Sequence, residues 1–194
     1  MDISKVRYYF KLLMEEGLGF DLSDPNLSGT PDRVAKMYCQ EFFCCVDQPF
    51  TDFKSFPNAH HYDQIIVSDK IHFVSMCSHH FLPFTGNAWI LYVPDQLLIG
   101  ASKPSRLVNH YACKPQLQEH LSWEVMNALE EGIKPLGIMV VMRGIHQCMK
   151  CRGAQQYGGS GMVTSVISGL FKEDPTMKQE GYELIKLSLL DEEN

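Results

Sequence analysis

Apolar residues recur at every third or fourth position in several parts of the chain, a spacing that predicts amphipathic helices. Breaks at glycine and proline separate these segments from one another. The predicted helices cover residues 6–13, 30–45, 105–112 and 116–133, and a last one runs from Pro175 onward. The pattern therefore predicts helices at both ends of the chain and in its centre.

Short apolar runs bounded by turn residues predict β-strands between these helices. The predicted strands cover residues 65–67, 71–76, 88–93, 138–142 and 162–171. Ser68-Asp69-Lys70 separates the first two strands and predicts a turn between them. Helices, a hairpin, helices, a second hairpin and a final helix indicate an α+β fold with antiparallel strand pairs.

The composition narrows the possible functions. A chain of 194 residues fits one domain with a helical extension, and 45% hydrophobic residues are normal for a globular protein. A formal net charge of -6 argues against nucleic-acid binding as the main task. No apolar run approaches the roughly 20 residues that span a bilayer. Without an export signal, we expect a cytoplasmic protein with reduced cysteines, no nucleic-acid partner and no membrane association.

Two separated motifs carry candidate metal ligands. Cys77 and His80 lie three positions apart just after a predicted strand, so one turn can direct both at the same ion. Cys148 follows another predicted strand, and if that strand continued this far, His146 and Cys148 would share a face. Thiolate and imidazole ligands together favour zinc over magnesium or calcium.

The spacing leaves several interpretations of these cysteines open. Cys148 and Cys151 form a C-x-x-C pair, which would complete a closed structural zinc site with Cys77 and His80. Ordinary buried cysteines and a redox pair are further alternatives. An open site would instead activate water for hydrolysis near neutral pH. The neighbouring His79 and His146 favour the open site, since they are suited to proton transfer.

Basic residues in three places suit a polyphosphate ligand. Lys103 and Arg106 stand at the start of a predicted helix, whose free N–H groups also attract anions. Arg152 lies four residues beyond Cys148. Arg33 and Lys36 are about one helical turn apart. Each is by itself typical of a solvated surface charge, so the polyphosphate interpretation depends on their convergence.

Six motifs follow one another between about Gly29 and the C-terminal helix. They are Thr30-Pro31-Asp32-Arg33-Val34-Ala35-Lys36-Met37-Tyr38, Cys77-Ser78-His79-His80-Phe81-Leu82-Pro83-Phe84, Ile99-Gly100-Ala101-Ser102-Lys103, Gln116-Leu117-Gln118-Glu119, His146-Gln147-Cys148-Met149, and Thr164-Ser165 with Gly169-Leu170-Phe171. In this order they resemble the motifs of the GTP cyclohydrolase I family. The resemblance implies the tunnelling fold, an antiparallel four-stranded sheet packed by helices. It also implies an N-terminal helical region at 1–50, a catalytic domain at 51–194, and a homo-oligomer, namely a decamer of two pentamers.

The resemblance also implies roles for individual residues. Cys77, His80 and Cys148 would hold Zn2+, and Cys151 would not be a ligand. His79 and His146 would be the acid/base residues. The remaining implied contacts are Ser102 near the ribose and phosphates as a third catalytic residue, Glu119 and Gln118 at the guanine, Lys103, Arg106 and Arg152 on the triphosphate, and Arg33 and Lys36 from a neighbouring subunit.

The implied reaction is the hydrolysis and rearrangement of GTP to 7,8-dihydroneopterin triphosphate and formate, with no phosphate bond cut. The alternatives are a relative acting on another purine or pterin, and an inactive zinc-stabilised binding module. Glu119 and the acid/base histidines argue against the binding module. Ser78, His120 and Arg143 depart from the family pattern, and we hypothesise that they reflect one altered charge network around the site.

Overall fold

The computed structural model describes residues 1–156, 158 and 161–190. Residues 157, 159, 160 and 191–194 of the predicted catalytic domain lie outside the described residues. Contacts divide the chain into two compact units, Met1–Val46 and Asp47–Asn194. The N-terminal unit is helical, and the second unit contains all the strands that the structure describes.

The N-terminal unit has two helices, each followed directly by a π-helical segment. They are α1 (Ile3–Leu12) with Leu13–Gly17, and α2 (Thr30–Lys36) with Met37–Phe42. Asp2 caps α1 by accepting hydrogen bonds from the backbone N–H groups of Ser4 and Lys5. Arg7 on α1 forms an ion pair with Asp32 on α2 at 3.2 Å.

One five-stranded sheet forms the centre of the second unit. Its described helices and strands are β1 (Ser55–Pro57), β2 (Ile66–Cys77), β3 (Pro83–Val93), β4 (Leu97–Ile99), α3 (Lys103–Ala112), β5 (Pro115–Gln116), α4 (Gln118–Ile133), β6 (Gly137–His146), α5 (Gln147–Lys150), β7 (Met162–Gly169), α6 (Leu170–Glu173) and α7 (Pro175–Leu190). The order in the sheet is β5-β2-β3-β6-β7. The last four of these strands are antiparallel neighbours, and β5 pairs in parallel with the end of β2. Strands β1 and β4 form a separate antiparallel pair.

The predicted α+β class is confirmed, with the four antiparallel strands extended by β5. This fifth strand has only two residues, which is too short for any periodicity to show in the sequence. The predicted turn at Ser68-Asp69-Lys70 is wrong, because β2 runs through it as a bulge. Between Ser68 and Ile71 strand β2 advances three residues while β3 advances two, and Lys70 takes up the change with a φ of 46°.

The hydrophobic core lies on both faces of the sheet. Alternate residues of β3 therefore pack in opposite directions, with Ile90 against the α3 and α4 side and Leu91 against the α6 and α7 side. Leu107 of α3 and Leu121 of α4 are fully buried on the first side, and Phe171 is fully buried on the second. Burial on both faces explains the uninterrupted apolar run that predicted this strand.

Among the residues that the structure describes, no helix combines the length and the apolar character needed to cross a membrane. The longest described helices of the second unit are α4 and α7, with 16 residues each. The buried face of α4 includes Leu121, Val125 and Leu129, which follow the helical spacing seen in the sequence.

Candidate active site

The turn between β2 and β3 positions the first two candidate ligands. Cys77 is the last residue of β2, and its carbonyl accepts hydrogen bonds from the N–H groups of His80 and Phe81. Phe81 has a positive φ of 49°, which lets the chain reverse tightly into β3. The Sγ of Cys77 lies 3.9 Å from Nδ1 of His80. The two side chains are therefore directed together, as their spacing predicts.

The third candidate ligand comes from the other side of β3. Strand β6 ends at His146, and the short helix α5 then directs Cys148 towards β2. The strand does not continue to Cys148, so the condition for a shared face of His146 and Cys148 is not met. The Sγ atoms of Cys148 and Cys77 are 3.9 Å apart, and the ligand atoms of Cys77, His80 and Cys148 all lie within 4.8 Å of one another.

These three side chains fit a zinc ion. Two thiolates at about 2.3 Å from a tetrahedral zinc are separated by roughly 3.8 Å, close to the observed spacing of the sulfur atoms. Burial and the neighbouring thiol of Cys77 raise the pKa of Cys148, while Arg152 has the opposite influence. A bound cation would favour both thiolates, so metal binding and deprotonation are coupled here.

Cys151 does not belong to this group. Among the described residues, the cluster around Cys77 comprises only His80 and Cys148 as further candidate ligands. Cys151 is exposed, and its thiol donates a hydrogen bond to the carbonyl of Gln147 at 3.0 Å. The geometry thus favours a three-residue site with an open position over a closed four-residue site.

His146 is held in place by a buried glutamine. Its Nε2 lies 3.0 Å from Oε1 of Gln118, and its ring stacks on Phe84 with the ring centres 4.5 Å apart. The amide nitrogen of Gln118 faces the carbonyls of Met142 and Met162, so the amide oxygen must face His146. Nε2 of His146 therefore carries the proton that it donates, and Nδ1 is left for other chemistry.

Gln118 itself is fully buried at the start of α4. Its amide also contacts the hydroxyl of Thr164 at 3.2 Å, and Ser122 joins the same group through both Thr164 and the Gln118 carbonyl. Gly144 makes room for it, since a Cβ there would lie 2.3 Å from the amide oxygen. The predicted contact of Gln118 with substrate stays a prediction, whereas its contact with His146 is observed. The sequence carried no signal for this contact.

We expect Gln118→Leu to lower the free energy of unfolding by about 1–3 kcal/mol, because it leaves buried carbonyls and the His146 ring without their partner. Urea unfolding followed by circular dichroism measures this. The matched control is Gln179→Leu, which removes an exposed glutamine bonded to Glu183 and should change stability by less than about 0.5 kcal/mol. Equal effects of the two substitutions would contradict the structural role of Gln118.

Two further predicted site residues lie near the histidines of this site. Burial lowers the pKa of His146, and the charge of Glu119, which is exposed in the first turn of α4, raises it by less. The net result is a lowered pKa, so the ring is neutral and able to accept a proton near neutral pH. His79 is exposed beside His80, with the two ring centres 6.1 Å apart.

The predicted anion site lies at the start of α3. Ser102 is the N-cap residue, and its side chain makes no capping hydrogen bond. Lys103 is buried and Arg106 is exposed, and both bind the carboxylate of Asp52. No sequence pattern indicates Asp52, because an aspartate in a loop of this kind carries no periodic signal.

Arg33 and Lys36 belong to the N-terminal unit. The guanidinium of Arg33 donates to the hydroxyl of Thr30 at 2.8 Å and to the carbonyl of Asn26 at 3.2 Å. Lys36 is the last residue of α2. Their predicted contribution to a neighbouring subunit's site stays a prediction.

An α+β fold carries the Cys-His-Cys cluster, and Gln118 orients His146 near it. These features define a candidate metal-dependent hydrolase. A family model described as GTP cyclohydrolase I matches residues 8–186. The chain therefore belongs to the GTP cyclohydrolase I family, and its fold is the tunnelling fold that the resemblance implied.

Relatives named GTP cyclohydrolase 1 agree with this assignment along nearly the whole chain. GTP cyclohydrolase 1 of Streptococcus pneumoniae is 40% identical over 189 residues, covering 96% of this chain and 100% of that protein. The enzymes of Hydrogenobaculum sp. and Clostridium perfringens are 38% and 36% identical, each over 96% of this chain and at least 99% of their own length. A solved structure of the archaeosine synthase QueF-Like in the apo form is similar at a TM-score of 0.45 and 14% identity, over 55% of this chain and 94% of that one. This last likeness adds nothing to the assignment.

Proposed function

We propose that this protein is a zinc-dependent GTP cyclohydrolase that converts GTP to 7,8-dihydroneopterin triphosphate and formate. The observation that carries the proposal is the cluster of Cys77, His80 and Cys148, with ligand atoms within 4.8 Å of one another and with no fourth candidate ligand among the described residues. The relatives named GTP cyclohydrolase 1 supply the substrate class.

The metal and the histidines divide the chemistry between them. Zinc, when bound to Cys77, His80 and Cys148, would supply Lewis acidity for the activation of water. His146 presents Nδ1 for proton transfer to or from the purine, because Gln118 occupies Nε2. His79 is the second proton carrier, and as an exposed side chain it can exchange protons with solvent.

Substrate recognition uses charges on both sides of this centre. The Glu119 carboxylate accepts two hydrogen bonds from the guanine edge, which presents a planar pair of donors. Lys103, Arg106 and Arg152 hold the triphosphate, with Ser102 near the ribose and phosphates. In the proposed decamer of two pentamers, Arg33 and Lys36 reach this site from a neighbouring subunit. The enzyme works in the cytoplasm.

A single assay tests this function. Purified protein carrying stoichiometric zinc should release formate from GTP and form a pterin that fluoresces after oxidation. Metal content is measured on the same sample, and ATP and inosine triphosphate serve as competing substrates. Zinc-loaded protein that binds GTP without releasing formate would support the inactive binding module. Preferred turnover of another nucleotide would support an enzyme that acts on another purine or pterin.

A further inference from the structure

Asp52 binds both cations of the proposed phosphate site. Its Oδ1 accepts a hydrogen bond from Nζ of Lys103, and its Oδ2 accepts one from the guanidinium of Arg106 at 2.9 Å. Each carboxylate oxygen thus binds a different cation. Two oxygens of a phosphate group would bind Lys103 and Arg106 in the same way. These two ion pairs lower the pKa of Asp52, so the carboxylate is charged at neutral pH.

The local fold holds Asp52 at this place. The pairing of β1 with β4 extends by one hydrogen bond, from the N–H of Gly100 to the carbonyl of Lys54 at 2.9 Å. The N–H of Lys54 in turn donates to the carbonyl of Asp52 at 3.2 Å. The loop before β1 is thereby held next to the start of α3. At this place the side chain of Lys103 is only 9% exposed. Asp52 is therefore a built part of this site.

The carboxylate changes the charge that a phosphate chain meets. Lys103 and Arg106 alone would present two positive charges, and the ionised Asp52 reduces their sum to one. Lys103, being nearly buried, cannot turn far from its partner, whereas Arg106 is 63% exposed and keeps donors free for a ligand. An incoming phosphate must share these cations with Asp52 or displace it.

We propose that Asp52 limits the affinity of this site for polyphosphates by competing for Lys103 and Arg106. The inference rests on the proposed function, in which these two cations hold the substrate triphosphate. The triphosphate passes unchanged from substrate to product in that reaction. Holding it more tightly would lower KM and slow product release without raising kcat, since such binding is uniform along the reaction.

The test is the binding of inorganic triphosphate to the zinc-loaded protein, measured by calorimetry. Asp52→Asn should tighten binding by about threefold or more, a factor in the range of screened surface charges. Asparagine keeps an oxygen for the Lys103 ammonium, so the buried cation is not left unpaired. Unchanged or weaker binding by this variant would overturn the proposal.

Two further variants make the test specific. Asp69→Asn removes the same charge from the bulge in β2, eight residues from Cys77 along the strand, and should leave triphosphate binding unchanged. In an Arg106→Ala background, Asp52→Asn should give a smaller gain, because one of the released cations is missing. An equal gain from Asp69→Asn would show that only net charge matters, and would also overturn the proposal.

GTP turnover by the same variants separates this inference from the proposed function. Asp52→Asn should lower KM for GTP at least as much as it tightens triphosphate binding, without raising kcat. Tighter triphosphate binding in a protein that does not convert GTP would sink the proposed function and leave the role of Asp52 standing. Normal GTP turnover by Asp52→Asn with an unchanged KM would support the proposed function and overturn the role of Asp52.

Discussion

Replacing Cys148 with serine should remove both zinc and GTP turnover. Serine keeps the size of the side chain but not the thiolate, and Cys148 supplies one of two sulfur atoms in a cluster with three candidate ligands. The loss of metal affinity should exceed the roughly 10–100-fold that the loss of an outer hydrogen-bond partner costs. Zinc measured by mass spectrometry after dialysis and formate release measured on the same samples give the result.

Cys151→Ser is the matched control for that substitution. Cys151 lies three residues further on, is exposed, and bonds to the Gln147 carbonyl instead of facing Cys77. We expect this variant to keep its zinc and its activity. Zinc loss in Cys151→Ser as complete as in Cys148→Ser would restore the closed four-ligand site.

Replacing His146 with asparagine should lower kcat by about 10²–10⁴-fold, the range typical of a lost acid/base group. Asparagine has no nitrogen that exchanges protons near neutral pH, and its amide lies near the position of Nδ1, so the contact that Nε2 makes with Gln118 is also lost. Zinc content should be unchanged, because His146 is not among the clustered ligands. Steady-state kinetics and metal analysis of the purified variant measure both quantities.

The matched control for His146 is His60→Asn. His60 is exposed in the loop between β1 and β2, outside the cluster of candidate ligands. We expect near-normal kcat from this variant. A loss of zinc in His146→Asn, or equal losses of kcat in the two variants, would contradict the proton-transfer role.

Much of the fold could be predicted from local patterns. The helix α4 follows from the helical spacing of its apolar residues, and the centre of β3 follows from an uninterrupted apolar run, because both signals are set by neighbouring residues. The sequence predicts a turn at Lys70 where the structure has a bulge, since a serine, an aspartate and a lysine in succession are typical of both. Only the register against β3 distinguishes the two.

The pair Cys77 and His80 follows from the sequence alone, because a spacing of three places both side chains in one turn. Spacing left Cys148 and Cys151 as alternatives, and the resemblance to the family favoured Cys148. The tertiary structure brings Cys148 to Cys77, places Gln118 against His146, and brings Asp52 to Lys103 and Arg106. These contacts join residues 71, 28 and 51 positions apart. Their formation depends on the order and register of strands and on the direction of short segments such as α5, which no local spacing of residue types encodes.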